Sequence, residues 1–331
     1  MPRLSSLVGV LLLASSTAAA ASGDRREPCG GAVLTHVEGL AAAEAKRADD
    51  LVNADGLLWR IDAQGVAPSY LYAAIHSTDD SVLEIARRAA RQIDGAKVVA
   101  TELGRPLDSI EKANVAAKML ARAIDRDHDT FDGVVVAVDR QPIEKLLADR
   151  GFPVEMAHHL KLWLLAILTS IPSCETEREA RGLLEVDQFL AQTAVDRGIK
   201  VLGLETPEEQ LDALSSIHPE EAAVLLALAA REPGANDDVY ATLLELYRQG
   251  HPAEILPITD AARDRSAVER AAEDVFTRSL LAGRNKVMAE RAAPLIRAGG
   301  AFIAVGALHL SGKDGLVERF RAAGYKVTKV W

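Results

Sequence analysis

Gly300-Ala301-Phe302-Ile303-Ala304-Val305-Gly306-Ala307-Leu308-His309-Leu310-Ser311-Gly312 decides the fold of this 331-residue chain. An apolar run held between glycines is the pattern of a strand buried on both faces, and such strands belong to parallel sheets covered by helices. It delivers an imidazole where the apolar run gives out. Three more strand-like runs end in the same way. Ser69-Tyr70-Leu71-Tyr72-Ala73-Ala74-Ile75 ends at His76, Ala96-Lys97-Val98-Val99-Ala100-Thr101 at Glu102, and Ile199-Lys200-Val201-Leu202-Gly203-Leu204 at Glu205.

Working outward, Leu57-Leu58-Trp59-Arg60-Ile61 and the run ending at His76 are joined by a turn around Gly65 and Pro68, which predicts a hairpin. Ser77-Thr78-Asp79-Asp80-Ser81 supplies N-cap residues, and Val82, Ile85, Ala86, Ala89, Ala90 and Ile93 recur at helical spacing up to Gly95. Strand, helix, strand predicts a right-handed crossover, with the strands ending at His76 and Glu102 parallel and neighbouring or nearly so. From Leu107 to Leu295 the pattern is mostly helical, with boundaries expected at Pro142, Pro153, Pro172, Pro207, Pro219, Pro233 and Pro252. Within it the strand ending at Glu205 runs straight into a helix, for Thr206 is an N-cap, Pro207 a first helical residue and Glu209 the far end of a capping box. A helix from Ser266 to Ile296, the central strand, a helix from Asp314 to Ala323 and a strand from Tyr325 to Val330 complete the chain. The fold class is α/β: a central mixed, mostly parallel sheet with flanking helices and a large helical insertion at about 105–290.

Hydrophobic residues make up 49% of the chain and charged ones 26%, enough to bury a substantial core; at 4% aromatic that core is built from Leu, Ile, Val and Ala. The net charge of -10 argues against a nucleic-acid partner. Residues 1–21 carry Arg3, the apolar run Leu7 to Leu13 and the small-residue site Ala18-Ala19-Ala20, the pattern of a secretory signal peptide. Its apolar core falls short of the ~20 residues of a spanning helix, and no later segment is long and charge-free enough to span; Leu160 to Ile171 contains Lys161 and meets Pro172. The chain is therefore expected to be exported, to the periplasm, with no integral membrane segment after cleavage. Residues 22–55 form a peripheral lead-in with a short helix from Leu34 to Leu51, followed by one domain over 56–331. Cys29 and Cys174 are an even pair in an exported chain, which favours a disulfide.

In open α/β sheets ligands bind outside the carboxyl ends of the strands. His76, Glu102, Glu205 and His309 each stand at such an end, so parallel strands would gather them along one edge. Two imidazoles with carboxylates suit a first-row divalent cation holding a water of lowered pKa. One carboxylate could instead stay unligated and act as a general base. The plainer reading makes each histidine a capping or core residue, and Glu205 a charge at a helix N-terminus. The other histidines offer less: His158 and His159 read as a solvated pair, His128 as part of a polar loop, and His218 as a helix-start residue, while His36 and His251 lack ligand partners nearby.

Tyr72-Ala73-Ala74-Ile75-His76, Thr101-Glu102, Gly203-Leu204-Glu205-Thr206-Pro207-Glu208-Glu209-Gln210, Arg284-Asn285-Lys286-Val287-Met288-Ala289 and Gly306-Ala307-Leu308-His309-Leu310-Ser311-Gly312-Lys313-Asp314-Gly315-Leu316 together resemble the signature of the TraB/PrgY/GumN family. The resemblance runs from about Gly56 to Val330. That family is similar to the Tiki proteins, metal-dependent proteases with two G-x-x-H motifs and a glutamate, and more distantly to erythromycin-esterase-like and haem-binding ChaN-like folds. The resemblance implies His76 and His309 as paired metal ligands with Glu102, a cation that is Mn, Co, Zn or Fe, and Arg284 and Asn285 near the site. Arg284 and Asn285 could orient a carboxylate ligand or stabilise a developing oxyanion; the plainer alternative is an exposed arginine on a helix. The implied function is a metal-dependent hydrolase, a peptidase, acting on a peptide or small-molecule substrate. The second reading is a non-enzymatic binding protein for a peptide signal or haem. One position departs from the motif: Ala73 stands where glycine is expected, and it matters only if that backbone needs positive φ or a close approach.

Overall fold

The computed structural model describes residues 29–36, 51–125, 130–232 and 234–331. The signal peptide, the helix expected beyond His36 and the loop around His128 lie outside them; within them Leu34–His36 forms a single 3-10 turn. Six strands form one sheet: β1 (Leu58–Asp62), β2 (Ser69–Ala74), β3 (Val98–Thr101), β4 (Lys200–Gly203), β5 (Ala301–Gly306) and β6 (Lys326–Lys329). Their order is β4-β3-β5-β2-β1-β6.

β1 and β2 are the predicted antiparallel hairpin, with Leu58 opposite Tyr72, and β6 closes the sheet antiparallel to β1. The other pairs, β2 with β5, β5 with β3 and β3 with β4, are parallel. β2 and β3 are parallel as their crossover requires, with β5 inserted between them, so the stretch that opened the sequence reading is the central strand. Phe302, Ile303 and Val305 are fully buried, each contributing about 1.5–3 kcal/mol of hydrophobic stabilisation. Gly299 and Gly300 turn the chain into β5 with φ of 70° and 74°. A Cβ on Gly299 would stand 2.7 Å from the Ala67 carbonyl oxygen, so the turn needs glycine for space as well as for angle.

The helices are α1 (Asp80–Ala89), α2 (Ser109–Ala123), α3 (Thr130–Val134), α4 (Ala137–Asp149), α5 (Val154–Ala157), α6 (Leu162–Ser170) and α7 (Ser173–Ala180). They continue with α8 (Val186–Asp196), α9 (Pro207–Ser215), α10 (Pro219–Arg231), α11 (Ala235–Gln249), α12 (Ile255–Ala261), α13 (Ala267–Ala298) and α14 (Leu316–Ala322). α1 begins at Asp79, whose carboxylate accepts from Ser81 N, and buries Val82, Leu83, Ala86 and Ala89. Val186, Leu190 and Ala194 of α8 join the sheet core with Val99 and Phe302, while Phe131, Ile143, Leu147, Trp163, Leu165 and Leu226 make a second core among the inserted helices. α13 has 32 residues and is therefore about 48 Å long. No helix of the described residues is long and apolar enough to cross a membrane.

Proline placed most helix boundaries but not all. Pro153 and Pro172 stand at N-caps, Pro207 and Pro219 open their helices and Pro252 opens a 3-10 turn. Pro233 lies outside the described residues. Pro142 is the exception and sits inside α4. The carbonyl it leaves without an N–H partner belongs to Val138, which is 79% exposed and can be solvated instead. Cys29 and Cys174 are bonded, across 145 residues of sequence. The bond fastens the N-terminal segment to α7, where Ala32 N donates to Asp238 and Leu34 N to Thr242 of α11.

Candidate active site at the carboxyl edge of the sheet

The ladder between β3 and β4 does not stop with the strands. Leu204 N donates to Thr101 O and Glu205 N to Glu102 O, each at 2.8 Å, which sets Glu102 and Glu205 side by side just past the sheet. The chain after Glu102 is turned away at once, since Thr101 Oγ1 accepts from Gly104 N at 2.9 Å and Gly104 has φ of 86°. Both glutamates are buried. Two buried carboxylates in contact repel unless a cation and hydrogen bonds hold them, and α13 provides these. Arg284 Nη2 donates to Glu102 Oε2 and Glu205 Oε2, both at 2.7 Å, its Nε donates to Glu205 Oε1 at 2.9 Å, and Nη1 donates to the Leu280 carbonyl at 3.1 Å. Gln210 of α9 bridges the same carboxylates, at 3.1 Å from Glu102 Oε2 and 3.3 Å from Glu205 Oε2. Its residue type and position one turn into the helix after Glu205 were the available signal, and sequence reasoning gave it no role.

The neighbouring residue on α13 acts on the other side. Asn285 opens a buried stripe with Met288, Ala292 and Ile296, and its amide nitrogen donates to Asp314 O at 3.0 Å. That bond fixes the amide so that Oδ1 faces His309 Nδ1 at 2.5 Å. Carbonyl oxygen accepts only, so His309 carries its proton on Nδ1 and presents a bare Nε2, 3.8 Å from Glu102 Oε1. Gly306 N donates to that same Oε1 at 2.7 Å. A Cβ on Gly306 would lie 3.2 Å from Glu102 Oε1 and 3.4 Å from His309 Cδ2, so the glycine lets carboxylate and ring come close to the end of β5.

The charges follow from these contacts. Burial raises the Glu102 carboxyl, but His309, His76, Arg284 and the Gly306 N–H together outweigh it and hold the group at about 2. Burial lowers His309 to about 4, with Arg284 and His76 adding to the effect against the pull of Glu102 and Glu205. At neutral pH an anionic carboxylate and an unprotonated ring nitrogen therefore face each other.

His76 lies two residues beyond β2, in a pinned loop. Ser77 Oγ bonds the Tyr240 hydroxyl at 2.7 Å, Thr78 N donates to Glu175 Oε2 at 2.9 Å, and Tyr240 donates to Glu175 Oε1. His76 Nδ1 stands 3.0 Å from Glu185 Oε2 and 3.7 Å from Asp187 Oδ1, both at the start of α8. The Glu185 charge raises the ring's pKa well above the usual value, against the effect of burial. Its side chain is 63% exposed, so the ring faces water on one side.

Of the residues expected at the site, Glu102, Glu205, Arg284, Asn285 and His309 form one hydrogen-bonded unit. His76 is close enough to act on Glu102 and His309 through its charge, but its direct partners are Glu185 and Asp187, which no strand-end pattern in the sequence marked. Among the described residues, the group of three or more His, Cys, Asp and Glu side chains with ligand atoms within 4.8 Å of one another is His76, Glu185 and Asp187. The expected trio of His76, Glu102 and His309 does not reach that spacing. Ala73 causes no strain: it lies in the β2 ladder opposite Val305, is not among the residues of positive φ, and has its N–H on Leu57 O and its C=O on the Tyr247 hydroxyl. Two other histidines depart from expectation. His158 stays partly solvated, its side chain 31% exposed, but also bonds Asp132 at 3.0 Å and packs on Phe131, and His251 pairs with Glu254 at 3.0 Å.

Parallel strands that bring imidazole, carboxylate and guanidinium groups to their carboxyl edge define an α/β protein with a polar, charge-dense site at that edge. The chain belongs to the TraB/PrgY/gumN family, whose model matches residues 57–329, from the strand before the hairpin turn to the last strand of the sheet. No curated protein and no solved structure matches the chain.

Proposed function

We propose that this protein is an exported, divalent-cation-dependent hydrolase acting on peptide bonds. The observation that carries the reading is the pair of electron-pair donors at the sheet edge: the ionised Glu102 carboxylate and the bare Nε2 of His309, 3.8 Å apart. Two acceptors that face each other with no proton between them are what a cation's ligands look like before it binds. His76, His309 and Glu102 would hold the cation, which is Mn, Co, Zn or Fe from the mixture of nitrogen and oxygen donors. A cation bound there would supply a water acidified toward neutral pH.

The chain's own groups divide the remaining work. Asn285 keeps the His309 proton on Nδ1, so Nε2 stays available down to about pH 4. Glu102, held at about 2, is too weak a base for proton abstraction near neutrality, where a matched base has a pKa near 7, and it serves better as an anionic ligand. Arg284 directs its donors at Glu102, Glu205 and the Leu280 carbonyl, which supports an orienting role over stabilisation of an oxyanion. The peptide specificity rests on the family resemblance. Export is supported by the Cys29–Cys174 bond, since disulfides persist in oxidising compartments.

The test is elemental analysis joined to a hydrolysis assay on a mixture of peptides. A stoichiometric divalent metal, absent from His309→Ala, with peptide cleavage lost on chelation and restored by metal, is expected. Failure to take up metal under any loading condition overturns the reading.

A further inference from the structure

We infer that Glu185 and Asp187, at the start of α8, are further carboxylate ligands of the first-row divalent cation that His76 binds. The three side chains come from segments more than a hundred residues apart, and their ligand atoms lie within 4.8 Å of one another. One imidazole and two carboxylates form a mixed nitrogen and oxygen set, which suits Mn, Fe, Co or Zn and leaves positions open for water. The exposed side of His76 gives a cation and a substrate a route in.

Acidic residues at the start of a helix need no ligand to explain them, because the helix dipole favours them there. These two are arranged otherwise. Glu185 occupies the N-cap position of α8 yet makes no capping hydrogen bond; its carboxylate turns to the His76 ring. Asp187 Oδ1 is buried and has no hydrogen-bond partner, and at 3.7 Å it is too far from His76 Nδ1 for one. A protonated His76 can bond Glu185 at 3.0 Å but reaches Asp187 Oδ1 only as an ion pair at 3.7 Å, and a buried carboxylate oxygen without a hydrogen bond is costly. Arg181, the nearest arginine along the chain, turns its Nε to the Glu177 carbonyl, and Arg178 is paired with Glu175. A divalent cation between the two carboxylates and the ring would give that oxygen a partner.

The inference rests on the proposal that the protein binds a divalent cation and adds two ligands to it, so binding must be read directly and not through hydrolysis. Chelator-treated full-length protein is titrated with Mn²⁺ and free ion is followed by electron paramagnetic resonance. Wild type should bind one ion. E185Q and D187N should each weaken binding by roughly 10-fold or more, and the double variant should remove it; near-ultraviolet circular dichroism and the melting temperature establish that each variant is folded. Wild-type affinity in the folded double variant, together with loss in E102Q or H309A, would overturn the inference while leaving the cation reading intact. Absence of Mn²⁺ binding by wild type would overturn both.

Discussion

Replacing Arg284 by methionine removes one cation from between two buried carboxylates and leaves a side chain of similar reach. In the native protein the side chains of Glu102 and Glu205 are only 5% and 2% exposed, so neither can recover its hydration when the guanidinium is lost. Breaking a buried ion pair from one side costs about 3–5 kcal/mol. The shift of Glu102 gives a separate measure. Its native value of about 2 against 4.5 unperturbed corresponds to about 3 kcal/mol of stability, and Arg284 is one of several groups responsible. Because the folded value is the lower one, that stability is fully present above pH 4.5 and is lost as pH falls toward 2. In the variant the carboxylates take up protons more readily, so the deficit should be about 3 kcal/mol at pH 7 and should shrink as pH falls through 4. Urea denaturation of both proteins at pH 7 and pH 4, followed by tryptophan fluorescence, measures it. A deficit under about 1 kcal/mol at pH 7, or one that grows on acidification, would refute the claim that Arg284 holds the two glutamates together.

Four other results are expected. Asn285→Ala strips the acceptor from His309 Nδ1 and should cost about 1–3 kcal/mol; nitrogen-15 spectra should show the single Nδ1–H tautomer of wild type replaced by a mixture, and an unchanged ring would count against the assignment. His309, lowered to about 4 from 6.5, is neutral in the folded state and charges more readily when unfolded. Its contribution of about 3 kcal/mol is therefore present above pH 6.5 and fades as pH falls toward 4, a slope that His309→Gln should remove from wild-type denaturation curves. Gly306→Ala keeps an allowed backbone but sets a methyl 3.2 Å from Glu102 Oε1, and should cost about 1–3 kcal/mol; equal urea midpoints would mean the carboxylate is free to move. Reduction of Cys29–Cys174, which closes a long loop, should lower stability by about 3–5 kcal/mol, whereas an unchanged melting temperature in reductant would show that the N-terminal segment is held by other contacts.

The sheet edge was legible because period and composition change sharply there. β5 is buried on every residue from Ala301 to Val305, and an unbroken apolar run of that length leaves a parallel interior strand as the natural reading. Glu102, Glu205 and His309 then follow from where the runs end. Arg284 and Asn285 were legible only through the family motif, since nothing in helical periodicity says that one turn of a 32-residue helix faces carboxylates on one side and an imidazole on the other. Glu185 and Asp187 left no such trace. They open a helix, where acids are common for local reasons, and their connection to His76 spans 109 residues of sequence and depends on how α8 docks. Pro142 misled for the opposite reason: proline reports on a missing N–H, and at an exposed turn water replaces the lost bond.

The central claim is that a divalent cation sits where the strands end. Anomalous diffraction from a crystal soaked in Mn²⁺ tests it most directly. The account predicts one strong peak at the carboxyl edge of the sheet, within bonding distance, about 2.0–2.3 Å, of a His76 nitrogen. A crystal that takes up no manganese there, with His76 still turned to Glu185 alone, would contradict it.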